Sequence, residues 1–312
     1  TLRSVVIPDS VTSIGDYAFY ECNALTSVKI GEGVTIIGDF VFASCDSLMK
    51  IEADVNNKVY KSVDGNLYSK DGNTLIRYAS GKTDKSFVIP RDVTCIGVGA
   101  FSFSDFLLSV VIGDSVTSIE DSAFTKCLSL TRIEIPESVT NIGKDAFYSC
   151  YRLAEVINKS DLNIIKGADN YGGVAYYALD VHSGESKTVT LDDYLFYTYE
   201  GINYLLGYVG DDTDLTFPER YNGENYEIYK CAFYDRLSLT SIGDSAFFAC
   251  YSLTDIEISD SVTSIGERAF YKCSSLRSVE IGDGVTRVGN YAFYDCHSLT
   301  SVVISDSVTS IG

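Results

Sequence analysis

The chain has 312 residues, 46% of them hydrophobic, and its 43 acidic and 24 basic side chains give a net charge of −19. The hydrophobic fraction is sufficient for a folded core, whereas the acidity disfavours a nucleic-acid partner, because phosphate binding requires clustered lysine and arginine. No apolar run is long enough to span a membrane, so we expect no direct membrane insertion. The two histidines, His182 and His297, lie 115 residues apart, which disfavours histidine-dependent catalysis, and we expect both at the surface.

A 23-residue unit recurs along the chain around an Ala-Phe pair, which is Val-Phe in one copy. The unit is clearest in residues 253–273 and 276–296. The anchoring phenylalanines are Phe19, Phe42, Phe101, Phe124, Phe147, Phe233, Phe247, Phe270 and Phe293. A unit of this length cannot bury its apolar face alone, so neighbouring units must stack on one another.

Each unit begins with two extended segments, as in residues 25–30 and 34–37. Val28 and Ile30 alternate with Lys29, which is the period of a half-buried strand. Gly38, after the second segment, is expected to supply a backbone conformation that other residues resist. A short polar residue follows, where we predict the N-cap of a short helical turn. In different copies this residue is Asp16, Asp39, Asp121, Asp244 or Asn290.

The unit ends with the inward-pointing Ala and Phe, followed by a Cys-x-x-Leu sequence. Because each residue class recurs once per unit, it should form a ladder in which Phe stacks on Phe at about the 4.8 Å spacing of strands. We therefore predict a right-handed solenoid that is mainly β with short helical turns.

The units resemble the BspA-like class of leucine-rich repeats, with the pattern L-x-x-V/I-x-I-P/G-x-x-V-T-x-I-G-x-x-A-F-x-x-C, over roughly two thirds of the chain. The resemblance implies a curved leucine-rich-repeat solenoid with a parallel sheet on its concave face. It also implies a secreted or surface protein of a host-associated microbe, so we expect an extracellular or cell-surface location. The ligand does not follow from the resemblance, because a fold does not fix a function.

Two segments depart from the repeat, and we predict them to be β-rich insertions. In residues 53–86, Asp-Gly pairs at 64–65 and 71–72 are flanked by strand-forming residues, which predicts a β-hairpin insertion. Residues 158–229 hold 11 of the 23 tyrosines. Segments 194–199 and 202–208 in this region are predicted to be strands of a tyrosine-rich β insertion.

The predicted order is leucine-rich-repeat coils over 1–52, the hairpin insertion over 53–86, coils over 87–157, the tyrosine-rich insertion over 158–217 and coils over 218–312. One coil is shortened near 233–247, because Phe233 and Phe247 are only 14 residues apart. Both ends of the chain fall within a unit, so we expect a fragment of a longer array.

Seven of the nine cysteines occupy one repeat position, which predicts a ladder of buried thiols. They are Cys22, Cys45, Cys127, Cys150, Cys250, Cys273 and Cys296. The sequence contains no Cys-x-x-Cys, so zinc and redox motifs are disfavoured. We predict no catalytic residue, no metal site and no cofactor.

Two groups of residues are candidates for binding a partner. The outward position of the first strand holds a mixture of acids and valines in different copies. In a leucine-rich repeat it faces the concave surface, either as a binding face or as a solvated sheet. The tyrosines of the second insertion either contact a partner or fill the core of a small β subdomain. The candidates are Glu134, Glu257, Glu280, Tyr194, Tyr197 and Tyr199.

The leading functional hypothesis is a non-enzymatic, adhesin-like recognition module of the cell surface. Its expected partners are host matrix proteins, other cell-surface proteins or glycans. The alternative is a structural spacer that presents another domain. A more remote alternative is a carbohydrate-active enzyme, which would require two carboxylates roughly 5–10 Å apart in a cleft.

Overall fold

The computed structural model describes residues 2–209, 221–224, 226–229, 242, 244, 247, 255–258, 260 and 262–312. The chain divides into two compact units, Thr1–Ser186 and Lys187–Gly312, which are described separately. The predicted shortened coil, with its anchor Phe233, lies outside the described residues.

Unit 1 contains two series of parallel strands, which correspond to the two predicted extended segments. The first series is β1 (Ser4–Ile7), β3 (Ser27–Ile30), β5 (Lys50–Ala53), β9 (Ser86–Val88), β11 (Ser109–Val111), β13 (Arg132–Ile135), β15 (Glu155–Asn158) and β16 (Asp180–His182). The second series is β2 (Ser13–Ile14), β4 (Ile36–Ile37), β10 (Cys95–Ile96), β12 (Ser118–Ile119) and β14 (Asn141–Ile142). Ser4 pairs with Ser27 and Ser109 with Arg132, so the register follows the 23-residue period. The predicted stacked, parallel β-solenoid is confirmed.

Around Phe124 the expected helical turn is instead a run of turns in which two residues have left-handed backbone. Ser122 has φ 55° and Lys126 has φ 57°, and the N–H groups of these two residues and of Phe124 donate to carbonyls of the next coil. Every second N–H of residues 122–126 thus points along the stacking direction, so this segment forms a third coil-to-coil ladder rather than a helix. The described part of the chain contains one short 3-10 helix, Tyr171–Gly173.

The predicted N-cap residues also bond between coils. Asp16 Oδ1 accepts the N–H of Asp39 at 2.9 Å, and Asp121 Oδ1 accepts that of Lys144 at 2.7 Å. Gly38 is required for space rather than for an unusual backbone, because a Cβ there would lie 2.2 Å from Asp16 Oδ1 and 2.6 Å from Asp16 N. Close approach of neighbouring coils therefore selects both residue types.

The interior is built from the predicted ladders. The rings of Phe101 and Phe124 stack at 4.8 Å between centroids, and those of Phe124 and Phe147 at 4.9 Å. The Cys127 thiol donates to the Phe101 carbonyl at 3.1 Å, and Cys150 repeats this contact to Phe124 at 3.0 Å. The conserved geometry explains the recurring Cys, since a small thiol fills the core and satisfies a carbonyl of the preceding coil. Cys250 lies outside the described residues.

A three-stranded antiparallel meander interrupts the stack within the predicted segment 53–86. Its strands are β6 (Tyr60–Val63), β7 (Asn66–Ser69) and β8 (Thr74–Arg77). β8 also pairs in parallel with β10, which joins the meander to the second strand series. The first predicted hairpin turn is present at Asp64 and Gly65, both with positive φ, as a two-residue turn between antiparallel strands requires. Tyr78 then takes the place of a phenylalanine in the ladder, and its ring centroid lies 5.5 Å from that of Phe101.

Arg77 lies where the meander meets the coils on either side, and it is 5% exposed. Its Nη1 donates to Gly99 O and Ser102 Oγ at 2.6 Å each, while Nη2 donates to Phe42 O at 3.0 Å and Ser102 O at 2.9 Å. Burial lowers the pKa of Arg77 to about 10. The guanidinium thus joins the coil before the meander to the coil after it.

The stacking of unit 1 extends past residue 157, where the second block of coils was predicted to end. β16 pairs in parallel with β15, with Glu155 opposite Asp180, an offset of 25 residues. The Phe147 N–H donates to Gly172 O at 2.8 Å, and a Cβ on Gly172 would lie 2.5 Å from Gly143 O. Residues 159–182 therefore form a further coil without an Ala-Phe pair, and the structure differs from the predicted insertion boundary at 158. The other boundaries stay predictions.

Unit 2 combines a four-stranded sheet with further coils. The sheet consists of β17 (Val189–Leu191), β18 (Tyr194–Tyr199), β19 (Ile202–Tyr208) and β20 (Tyr226–Ile228). The coils contribute β21 (Asp255–Ile258), β22 (Ser264–Ile265), β23 (Ser278–Ile281), β24 (Arg287–Val288), β25 (Ser301–Val303) and β26 (Ser310–Ile311). The predicted strands 194–199 and 202–208 are confirmed as β18 and β19, joined by Glu200 and Gly201 with positive φ.

We expect the protein to lose stability between pH 9 and pH 10. Burial raises the pKa of the Cys45 thiol to about 11 and the pKa of the Tyr68 and Tyr226 hydroxyls to about 12. As the pH rises, the unfolded state releases the protons of these groups before the folded state does. The contribution of these groups to the free energy of unfolding is therefore complete below the pKa of the unfolded thiol and decreases above it. The opposite effect of Arg77 begins only near its folded pKa of about 10.

Urea unfolding at pH 8, 9 and 10 measures this effect. The Cys45→Ser variant should show a smaller decrease, because its hydroxyl does not titrate in this range. A free energy of unfolding that stays constant or increases from pH 8 to pH 10 would contradict the prediction.

Candidate functional site

The first strand series presents an exposed row of side chains on the sheet formed by β9, β11, β13 and β15. Val88 and Val111 are register partners and are 65% and 48% exposed. Glu134 lies on the neighbouring β13 and is also exposed, and it is the register partner of Ile157. Because side chains alternate across a strand, this row lies opposite the core residues Val110 and Ile133.

Two clefts meet at Glu134. One, of about 600 Å³, is lined by Asp114, Glu134, Pro136, Glu137, Ser138 and Lys159. The other, of about 250 Å³, is lined by Ser109, Val110, Val111, Ile112, Arg132, Ile133, Glu134, Ile157, Glu185 and Ser186. We call these two clefts the acidic groove, because the carboxylates of Asp114, Glu134, Glu137 and Glu185 line it.

Residues 183–186, which we call the strap, follow β16 and border the groove. Lys159 Nζ donates to the carbonyls of Ser183 and Gly184 at 2.7 and 3.2 Å. Arg132 Nη1 donates to Ser186 Oγ at 3.0 Å. Arg132 and Lys159, the two cations of the groove, therefore both form hydrogen bonds that hold the strap.

A buried carboxylate anchors the strap from below. Glu155 is fully buried, and its two oxygens contact His182 Nε2 at 3.1 Å and Ser186 Oγ at 2.6 Å. His182 Nδ1 accepts the N–H of Gly184 at 3.1 Å, which places the ring proton on Nε2. The prediction of a surface histidine is wrong for His182, since the extra coil brings it over Glu155, whereas the side chain of His297 is 74% exposed.

This Ser, His and Glu cluster is not arranged as an activated nucleophile. The Ser186 hydroxyl donates to the carboxylate rather than to the imidazole, and the acceptor nitrogen of His182 is occupied by a backbone N–H. Its geometry instead fixes the strap against the sheet. The cluster could not be recognised from the sequence, because Glu155 and His182 meet only through a coil that lacks the repeat motif.

The three candidate tyrosines lie in β18 of unit 2. Tyr194 is 3% exposed and Tyr197 is fully buried, whereas Tyr199 is half-buried. Tyr221 shows the same role, because its ring stacks on Phe196 at 4.2 Å between centroids. Of the two alternatives, the structure places Tyr194 and Tyr197 in the core of the sheet, so they offer no surface to a partner.

The other two candidate glutamates belong to the coils of unit 2. Glu280 is exposed on β23, and its register partners are Glu257 on β21 and Val303 on β25. The side chain of Glu257 lies outside the described residues. Glu280 thus has the same strand position as Glu134, on a sheet face of its own unit.

The described residues contain no group of three or more His, Cys, Asp and Glu side chains that could hold a metal ion. Over the same residues, no helix is long and apolar enough to cross a membrane. Glu134 is the candidate residue that lines both clefts of the acidic groove.

Comparison with solved structures finds several leucine-rich repeat proteins. A leucine-rich repeat protein from Eubacterium ventriosum is 20% identical with a TM-score of 0.44, over 99% of this chain and 74% of that chain. A leucine-rich cell surface protein from Faecalibacterium prausnitzii is 25% identical with a TM-score of 0.34, over 98% and 89%. The pneumococcal vaccine antigen PcpA is 16% identical with a TM-score of 0.39, over 98% and 58%.

No curated protein sequence matches this chain. The family model for the BspA-type leucine-rich repeat region matches in six copies, over residues 1–71, 78–203 and 240–312. These ranges include most of the chain and both strand series described above. The chain belongs to the BspA-type leucine-rich repeat family.

Proposed function

We propose that this chain is a non-enzymatic, adhesin-like recognition module of a bacterial surface protein and that it binds its partner through the sheet face that carries the acidic groove. The observation that carries the proposal is the exposed row of Val88, Val111 and Glu134, with a cleft on each side of Glu134. Exposed apolar side chains rimmed by polar ones are typical of interaction sites. The stacked coils hold this face rigid, which lowers the entropic cost of binding.

The proposal that the chain is not an enzyme is supported by the same sheet face. Its neighbouring Ser, His and Glu side chains are bonded to one another in an arrangement that secures the strap and leaves no activated hydroxyl. The expected partners are host matrix proteins, other cell-surface proteins or glycans, and an extracellular or cell-surface location is part of the proposal.

An array of host matrix proteins, cell-surface proteins and glycans, probed with the labelled chain, tests the proposal. We expect at least one partner whose binding decreases about tenfold or more in Val111→Asp, because a charge replaces an apolar contact in the middle of the face. The matched control is Ile165→Asp, since Ile165 is 51% exposed and lies outside the strands. This variant should bind as the unchanged chain does.

Two outcomes would count against the proposal. Failure to bind any arrayed partner would favour the structural spacer. An equal loss of binding in Val111→Asp and Ile165→Asp would mean that the sheet face does not contact the partner. If a bound glycan is cleaved during incubation, as shown by product analysis, the chain is a carbohydrate-active enzyme instead.

A further inference from the structure

The charges of the acidic groove are not balanced. Asp114, Glu134, Glu137 and Glu185 line the two clefts together with two cations, Arg132 and Lys159. Within the described part of the chain, none of these four carboxylates forms an ion pair or accepts a hydrogen bond. The two cations donate to uncharged acceptors of the strap, so four carboxylates face two cations and the groove keeps an excess of negative charge.

Apolar surface lies next to these carboxylates. Val111, which lines the smaller cleft, is 48% exposed, and its register partner Val88 is 65% exposed. A lysine or arginine side chain matches this combination, because its methylene stem packs on apolar surface while its charged end reaches a carboxylate. Hydrogen bonds between ionised partners are also about twice as strong as neutral ones.

We propose that the occupant of the acidic groove is an extended protein segment that carries basic and apolar side chains on the same face, at every second residue. The inference rests on the proposed function and adds the chemistry of the partner. Basic side chains bind Glu134 and its neighbours Asp114 and Glu137, and apolar side chains pack on Val88 and Val111. A small polycation would use the carboxylates alone, whereas this segment uses the valines as well.

Binding of the eight-residue peptide Lys-Lys-Val-Val-Lys-Lys-Val-Val to the intact chain tests the inference, because in extended form each of its faces carries both lysine and valine. We expect saturable binding that weakens with added salt, because the contacts are charged and partly exposed. The Glu134→Gln/Glu137→Gln variant should bind about tenfold more weakly or worse, since it loses two charge-assisted contacts. The same peptide with glutamate in place of lysine should not bind.

The control for net charge is Glu21→Gln/Glu32→Gln, which removes the same number of charges. Glu21 and Glu32 are exposed on turns of unit 1, and neither lines the groove. We expect this variant to bind within twofold of the unchanged chain. Val111→Ser should weaken the lysine-valine peptide but leave any binding of spermine unchanged.

Three results would overturn the inference: no binding of the lysine-valine peptide, equal loss in the two double variants, or spermine binding as tightly as the peptide. These results are separable from failure of the proposed function. A partner on the array that depends on Val111, together with no peptide binding, leaves the recognition face in place and rejects the basic segment. Binding of the peptide, together with no binding to any arrayed partner, supports the basic segment and counts against the partners proposed above.

Discussion

Replacing Arg77 by alanine is expected to lower the free energy of unfolding by about 3–5 kcal/mol. The change removes four hydrogen bonds from a buried guanidinium and leaves the acceptors on Phe42, Gly99 and Ser102 to be satisfied in another way. Each buried acceptor left unpaired costs about 1–3 kcal/mol, and the missing side chain adds a cavity. Relief from burying a charge offsets part of this cost. Urea unfolding at pH 7 measures the difference.

Arg77→Lys and Arg77→Met separate the contributions to this effect. Lysine keeps the charge but cannot span acceptors on both sides of the meander with a planar fork, so we expect most of the loss to persist. Methionine restores much of the volume without donors. Full stability in the methionine variant would mean that the hydrogen bonds contribute nothing net, which would contradict the prediction.

Replacing Phe147 by alanine is expected to cost about 3–5 kcal/mol, the range for large-to-small changes of buried aromatic residues. Phe147 is fully buried, its ring stacks on Phe124 at 4.9 Å, and its N–H bonds to the additional coil through Gly172 O. The substitution therefore opens a cavity next to the boundary between two coils. Denaturant unfolding followed by circular dichroism measures the change.

The neighbouring residue provides the control for this substitution. Tyr148 is 57% exposed, so Tyr148→Ala should change the free energy of unfolding by about 0.5 kcal/mol or less. A cost below about 1 kcal/mol for Phe147→Ala would mean that the ladder does not support the coil as described.

Features that recur with the period could be predicted from the sequence. The ladder of phenylalanines follows from one residue class repeated every 23 positions, and the hairpin at Asp64 and Gly65 follows from local turn chemistry. In contrast, the turn before each phenylalanine was expected to be helical, because Asp or Asn before a short Ala-Phe sequence also fits an N-cap. Bonds to the next coil decide its conformation, and they become visible only after the coils are stacked.

The candidate site could be predicted only in part. The position of Glu134 on the exposed strand face follows from alternation in the repeat, and the structure adds the two clefts beside it. The strap could not be predicted, since Glu155 contacts His182 only because β15 and β16 pair with an offset of 25 residues instead of 23. Tyrosine composition could not distinguish an interface from a core, and only the burial of Tyr194 and Tyr197 places these two side chains in a core.

The junction at Arg77 also bears on how such an array changes its length during evolution. Its partners are restricted to Phe42 in the coil before the meander and to Gly99 and Ser102 in the coil after it. Duplication or loss of a coil farther along either side leaves all of these contacts in place. Lineages can therefore gain or lose whole coils around a fixed meander, and selection can retain a favoured surface while the number of repeats drifts.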